Sequence, residues 1–559
     1  MFFNLSLSIL EIIGIGLASF VALIITKSGT SKSSLDSSFM DVINQFNEWQ
    51  FLPKSPAYLV IIVLGISILK NVLSVAIIKF TFTKLAKKSQ TIALDWVTAV
   101  LNFKWTEINR ISSQELAYVL NEGLSNFSIG IIATLLAITS ELIVLALMLT
   151  ILCSINPLAT LFIGVYFFLV ISYLVLHFGT QTRIATSQLN TANLAGEVTT
   201  FDLKNIFREI KLFHADDFFT KKYLSSRTNA VRGYTRAEFG QQIPKYFLEI
   251  SALLGTLLLM VLTNIGILSQ FEIVIFFFAS TRIIPSLLRL QGAWLGANRG
   301  VGYVISVLPL MQKICDRSMN GRNEKSDKPA NVWRSGFAIE ARNVDFRYEG
   351  AIDLVLKDIN LTVETGKAIA IVGASGAGKS TLVNLLIGSI RPTSGEISVL
   401  GETPELGRSS SHTKIAFLPQ NSGAITGSIF ENLTFKSGVD NNEDLIVNEI
   451  LRDIGLGNLS QTLPSGLESQ LSPGVSQLSS GQLQRLLLGR ALFAKPNLII
   501  LDEPTSSLDE STSNLIDLSL SILKGSTTIV VITHKKPNPD LFDKVYEVQN
   551  GKLNLIFDN

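Results

Sequence analysis

The sequence predicts two parts: a helical membrane domain of six transmembrane helices, then an α/β domain built around a phosphate-binding loop. Three observations predict it. Only 16% of the 559 residues are charged and the mean hydropathy is +0.38, apolar for a wholly water-soluble chain. Six apolar stretches lie in the first half. Finally, Gly373-Ala374-Ser375-Gly376-Ala377-Gly378-Lys379-Ser380-Thr381 fits G-x-x-x-x-G-K-[ST] between a strand-like run, Lys367–Val372, and a helix-like run, Leu382–Ile387.

The apolar stretches run about Leu5–Thr26, Ala57–Phe80, Phe127–Ile155, Leu158–His177, Ile243–Thr263 and Phe271–Leu290. Each approaches or exceeds the roughly 20 residues that cross a bilayer as a helix. Lys79, Lys84, Lys87 and Lys88 follow the second stretch, Arg183 follows the fourth, and Arg299 lies beyond the sixth. The Asn156-Pro157 turn and the Asn264–Gln270 connection carry none of these cations. Positive charge stays inside, so both termini are expected in the cytoplasm. Lys27, Lys32 and Lys54, in the first outer loop, run against that count.

The inner loops are long and contain helix-like polar sequence, Gln114–Phe127 and Ala185–Asn205. The spans are therefore expected to continue as helices into the cytoplasm. Phe103–Arg110 and Phe207–His214, at the turning points, mix apolar and basic residues and suit short docking helices. In the first outer loop, Phe39, Ile43, Phe46 and Trp49 recur at helical spacing, as in an amphipathic surface helix.

Lys70, Glu141, Glu249 and Arg282 fall inside spans. A charge at a span centre costs about 2.5–3.5 kcal/mol on insertion scales, so each needs a cavity or a partner. Lys70 and Arg282 suit an anionic substrate; an internal pair such as Lys70 with Glu141 is the alternative. Cys153 and Cys315 are far apart and read as structural. A net charge of +2 gives no reason to expect nucleic acid. Residues 1–10 carry no Lys or Arg, so no secretory signal is expected.

Asp316–Val332 is rich in Ser, Asn, Lys and Arg and reads as a linker. The expected domains are 1–315 in the membrane, 316–335 as linker and 336–559 as the α/β domain. In that domain the glycines let the loop turn tightly, and backbone N–H groups and the following helix point at phosphates. Lys379 would reach the β- and γ-phosphates and Ser380 would hold Mg²⁺. Tyr348 precedes the loop, placed to stack on an adenine ring. Gln420 follows the strand Ile415–Leu418. Leu478-Ser479-Ser480-Gly481-Gln482 leads a helix with Gln484 and Arg485. Leu498–Asp502 is an apolar strand ending in Asp502 and Glu503, Ser506–Asp509 follows, and His534 ends the strand Thr528–Thr533.

In this order the motifs resemble the nucleotide-binding domain of ABC transporters, and the first half resembles the six-helix membrane domain of ABC exporters with two coupling loops. The resemblance implies an α-helical membrane domain of exporter type fused to a P-loop ABC ATPase. It implies a half-transporter that pairs as a homodimer and couples ATP hydrolysis, with Mg²⁺, to transport. Asp502 would bind Mg²⁺, and Glu503 would orient or deprotonate the attacking water. His534 would contact the γ-phosphate, and Gln420 would contact Mg²⁺ and couple to the membrane domain. Residues 373–381 would hold the phosphates. Ser479 and Gly481, with Ser480 and Gln482 in the same motif, would act on ATP held by the partner. Ser480 stands where glycine is commonest, and Gln470–Ser476 lacks the Glu-Arg pair common in such exporters.

Thr281-Arg282-Ile-Ile-Pro285-Ser286-Leu-Leu-Arg289 resembles the sixth span of bacterial lipid-linked oligosaccharide flippases of the PglK type, and Pro244–Glu249 is similar to their fifth. That likeness implies a polyprenyl-pyrophosphate-linked glycan crossing the bacterial inner membrane, with Lys70, Arg282 and Arg289 as phosphate contacts. Export of peptides, lipids or drugs is the alternative. An ATP-gated channel or membrane-bound regulator is a further one, against which the hydrolytic base Glu503 argues.

Overall fold

A computed structural model describes residues 56–320, 336–406, 414–420, 423–436, 441–459, 463, 465–471, 478–505 and 510–558. The first apolar stretch, the amphipathic run at 39–49 and residues 506–509 lie outside them, as does the side chain of Lys70. The described chain forms two compact units. One holds 56–101 and 111–320; the other holds 102–110 and the residues from 336 onward.

The first unit is helical. Its helices are α1 (Pro56–Leu101), α3 (Ser113–Ile155), α4 (Pro157–Asn205), α5 (Phe207–Leu212), α6 (Asp216–Asn264), α7 (Gln270–Ile305) and α8 (Leu308–Asn320). Helix α2 (Trp105–Ile108) belongs to the second unit, where Arg110, just beyond it, pairs with Glu349 at 2.9 Å. Helices α3, α4, α6 and α7 are long and apolar enough to cross a membrane. They hold the third to sixth stretches, and α1 holds the second. Ile61, Ile68 and Val72 of α1 and Phe168 and Leu176 of α4 are more than half exposed, as lipid-facing side chains are. At 1.5 Å per residue the 49 residues of α4 and of α6 span about 74 Å. A hydrocarbon core of about 30 Å takes less than half of that. The remainder is the expected extension. Helix α8 runs through Asn320, over the start of the stretch read as linker.

Local chemistry sets the short turns between α3 and α4 and between α6 and α7. Asn156 caps α4, its Oδ1 accepting from Ala159 N, and Pro157 takes the first helical position, where no N–H is needed. Asn156 Nδ2 donates to Ile267 O at 2.8 Å, tying this hairpin to the next. Ser269 and Glu272 form a reciprocal capping box at the start of α7. Among the intramembrane charges, Glu141 pairs with Arg289, at 2.6 Å to Nε and 3.2 Å to Nη2, where the sequence suggested Lys70 as its partner. Glu249 stands 4.0 Å from Lys245, one turn away on the same helix.

The second unit has two main sheets and a short antiparallel pair, β6 (Gly427–Ser428) and β7 (Gln470–Leu471). Strands β1 (Phe337–Phe346), β2 (Leu356–Glu364) and β4 (Ser394–Val399) form an antiparallel sheet in the order β2-β1-β4. A six-stranded sheet has the order β11-β10-β3-β9-β8-β5. Its members are β3 (Ala368–Val372), β5 (Ile415–Leu418), β8 (Leu498–Asp502), β9 (Thr528–Ile532), β10 (Lys544–Gln549) and β11 (Lys552–Asp558). All pair in parallel except β11. Strands β8 and β9 are buried at every position, which is why they read as unbroken apolar runs. Register brings the motifs together: Ile532 of β9 pairs with Ile371 of β3 on one side and Asp502 of β8 on the other. The P-loop, Glu503 and His534 therefore all leave the same edge of three adjacent strands, spaced about 4.8 Å apart.

Candidate nucleotide site

The phosphate loop runs from β3 into helix α9 (Lys379–Leu386). Its glycines answer to sterics. Gly373 has φ +153°, and a Cβ there would stand 2.5 Å from Val548 O; Gly378 has φ +108°, with Leu356 Cδ2 2.9 Å from where a Cβ would be. Only glycine fits both demands. Ala374, Ser375, Gly376 and Ser380 are exposed, and Ala377 is half-buried. Lys379 is buried, and its Nζ donates to Gly373 O at 2.8 Å and to Ala374 O at 3.0 Å. The ammonium is thus held inside the loop it would serve. Thr381 is buried and shares a hydrogen bond of 3.1 Å with the Tyr348 hydroxyl. The Tyr348 ring stays 46% exposed, edge-on to Phe346, so a face remains available for stacking. Asp345 braces this segment, accepting from Asp358 N and Ser394 Oγ; those bonds hold its carboxyl below the usual range.

The carboxylates stand at the end of β8. Asp502 is buried; burial, then the neighbouring Glu503 charge, push its carboxyl above the usual range against the pull of Lys379. Glu503 has φ +52°, a left-handed conformation that costs a non-glycine residue about 1 kcal/mol or more. Its N–H donates to Ile532 O at 2.9 Å, and Gln484 Nε2 donates to its carbonyl at 3.3 Å. Its side chain lies between two partners. Gln420 Nε2 donates to Oε2 at 2.8 Å, and His534 Nδ1 stands 3.3 Å from Oε1. Next to His534, Lys535 Nζ donates to Thr505 O at 2.6 Å, pinning the chain after Glu503. Gln484 and Lys535 are contributors whose roles the motifs did not announce: each acts through a backbone carbonyl, which leaves no residue-type signal.

Mg²⁺ suits this donor set. Ser380 offers a hydroxyl, Asp502 a carboxylate and Gln420 an amide oxygen, all hard ligands. Two adjacent carboxylates, one buried, are relieved by a cation. No group of three or more His, Cys, Asp or Glu positioned to hold a metal exists among the described residues. Such sparse carboxylate ligation matches Mg²⁺ bound largely through phosphates and water.

Beyond helices α10 (Ile429–Thr434) and α11 (Asn441–Asp453), the Leu478–Gln482 motif opens helix α12 (Ser480–Phe493). Ser479 caps it: its Oγ accepts from Gln482 N at 3.2 Å, and Gln482 Oε1 accepts from Ser479 N at 2.9 Å. Gly481 O accepts from Arg485 Nε at 3.4 Å. Among the described residues no hydrogen bond joins this motif to the P-loop.

Residues 356–506 match the ABC transporter family. The second unit is an ABC transporter ATP-binding domain. Such domains use ATP with Mg²⁺. The match takes in the P-loop, Gln420, Leu478–Gln482, Asp502 and Glu503; Tyr348 and His534 lie outside it. The chain is 28% identical over 397 residues to the heterocyst differentiation ATP-binding protein HepA of Nostoc sp., covering 70% of this chain and 63% of that protein. It is 31% identical over 287 residues to the glutathione/L-cysteine transport system ATP-binding/permease protein CydC of Haemophilus influenzae, covering 50% and 48%. The chain thus spans less than two thirds of the length of either relative. Its fold is similar to that of a bacterial Atm1-family ABC exporter with ATP bound, with a TM-score of 0.75 at 17% identity over 98% of this chain and 93% of that one. The likeness is one of fold: a helical unit with membrane-length helices, followed in sequence by an α/β unit built on a P-loop.

Proposed function

We propose that this ABC protein is an ATP-driven exporter or flippase, working as a homodimer in a bacterial inner membrane with its ATPase domains in the cytoplasm. The observation that carries the reading is Glu503, held by Gln420 and His534 at the sheet edge from which the P-loop also leaves, in a chain with long apolar helices. Asp502 and Ser380 would hold Mg²⁺, which supplies charge neutralisation on the phosphates. Glu503 would take a proton from water, and His534 would orient the γ-phosphate. Ser479 and Gly481 would complete the site on the partner copy, so that ATP joins two domains and hydrolysis releases them.

The substrate proposed is a polyprenyl-pyrophosphate-linked oligosaccharide. Arg282, Pro285, Ser286 and Arg289 on α7 support it, the arginines matching a pyrophosphate in charge and geometry. Lys70 would join them. Arg289 meets Glu141 in this structure, so an anion would have to compete for it. Export of a small thiol compound or peptide is the second reading, favoured by the likeness to the Haemophilus protein.

The test is ATPase of the protein in lipid, with and without the glycolipid, beside Glu503→Gln and Arg282→Ala. Stimulation lost in Arg282→Ala supports the substrate. Equal turnover in wild type and Glu503→Gln would sink the hydrolytic role. Turnover that ignores the glycolipid and answers to thiol peptides moves the substrate to the second reading.

A further inference from the structure

The helical extensions of the first unit line an open cavity of about 1350 Å³ whose wall mixes polar and apolar side chains. That exceeds the roughly 300–1,000 Å³ of sites for drug-sized ligands. Helix α4 lines it with Asn190, Asn193, Glu197 and Thr200, at spacings of three, four and three that place them on one face. Helix α3 lines it with Tyr118, Asn121, Glu122 and Ser125. A face that packs against another helix is ordinarily apolar. These two faces instead carry amides, hydroxyls and carboxylates. Tyr118 Oη is buried in that wall and makes no hydrogen bond among the described residues.

Charge narrows the ligand. Glu122 and Glu197 are balanced by Lys204 and Arg227, which also line the cavity, and none of the four has an ion pair among the described residues. Arg299, on the same wall, is already held by Glu238 and Gln241, at 2.8 and 2.9 Å. With no net sign the cavity does not select an ion. Amides and carboxylates are donors and acceptors suited to paired hydroxyls, and Tyr118 and Tyr223 offer rings for apolar faces. That combination fits a hydroxyl-rich neutral ligand.

We propose that this cavity receives the glycan of the transported lipid, a neutral oligosaccharide of several rings. The assignment rests on the glycolipid reading above. Position agrees with it. Arg299 lies ten residues beyond Arg289 on α7, roughly 15 Å along the helix. A pyrophosphate at Arg289 would leave a short chain of sugars reaching into the cavity.

The test compares two lipids in nanodiscs holding the full chain: undecaprenyl pyrophosphate bearing one N-acetylglucosamine, and the same lipid bearing chitopentaose. The readout is the ratio of their half-stimulating concentrations for ATPase, so a general loss of turnover cancels. Wild type is expected to favour the pentasaccharide about tenfold, the effect of about 1.4 kcal/mol of added contacts. Asn193→Ala and the near-isosteric Glu197→Gln are each expected to bring the ratio to within about twofold of one. A wild-type ratio near one, or both variants keeping the tenfold preference, overturns the cavity assignment and leaves the glycolipid reading standing. If neither lipid stimulates wild type, the glycolipid reading fails and the cavity assignment falls with it.

Discussion

Gln420 Nε2 donates to Glu503 Oε2 at 2.8 Å, joining the end of β5 to the end of β8 across 83 residues of sequence. The bond fixes the carboxylate whose backbone is already in a strained left-handed turn. It uses the Gln420 amide nitrogen, which leaves the amide oxygen for the proposed Mg²⁺ contact. Glu503→Gln keeps the shape and removes the base. Its ATPase should fall about 10²–10⁴-fold, the range for a general base, with ATP affinity within a few fold of wild type. Phosphate release and nucleotide binding measured side by side decide it; a fall below tenfold would remove Glu503 from the proton transfer.

Asp502 predicts a trade of stability against function. Its carboxyl titrates above the ordinary value of about 3.9, first because it is buried and then because Glu503 repels it. A raised folded-state pKa means the ionised form is disfavoured by folding. The domain therefore loses stability as pH rises through that pKa and recovers it in acid. Asp502→Asn removes the penalty at neutral pH. The nucleotide-free protein should melt higher than wild type at neutral pH. Mg²⁺-dependent hydrolysis should be lost. Thermal scans at about pH 4 and pH 8 check the sign: the gain should be larger at pH 8, and a loss of stability at pH 8 would contradict it.

Legibility in the sequence followed how locally each feature is encoded. The P-loop is contiguous, so its residues were readable, and the strain at Gly373 and Gly378 explains why glycine recurs there. The third to sixth apolar stretches were readable by length alone. The partner of Glu141 was not, because Arg289 lies 148 residues away and only helix packing chooses between it and Lys70. The role of Gln484, named only as part of its helix, and the whole of Lys535 were not readable because they grip backbone carbonyls of residues 503 and 505. The cavity lining was visible only as polar helical sequence. Which side faced inward depended on how α3 and α4 settle.

The Glu141–Arg289 pair lies where an anion is proposed to bind. Glu141 is 14% exposed and Arg289 45%. Removing one partner of a fully buried pair costs about 3–5 kcal/mol, and partial exposure reduces that. Glu141→Gln should therefore lower stability by about 1–3 kcal/mol, read as a lower melting temperature in detergent. Glu141→Gln with Arg289→Gln should recover part of the loss, since no charge is then left alone. Additive losses in that cycle would show that the two residues are not coupled.

Helix α4 is gripped from two sides through glycine. On α6, a Cβ at Gly233 would stand 2.9 Å from Leu189 N and 3.0 Å from Ala185 O; on α7, a Cβ at Gly302 would stand 2.6 Å from Arg183 O. Small residues here let backbones approach where long side chains would hold them apart. Gly302→Ala should force that crossing open and cost about 1–3 kcal/mol, the range for overpacking. Gly292 sits on the same helix α7 with nothing within 4 Å of where a methyl would stand, so Gly292→Ala serves as the control. It should be neutral or stabilise by about 0.4–1 kcal/mol, because alanine restricts the unfolded chain. Melting curves of the two single variants, in the same lipid and without nucleotide, separate packing from helix propensity. If Gly302→Ala melts with or above Gly292→Ala, the close crossing of α4 and α7 does not limit stability. If it melts lower by several degrees, the contact between Gly302 and Arg183 fixes how near those helices lie.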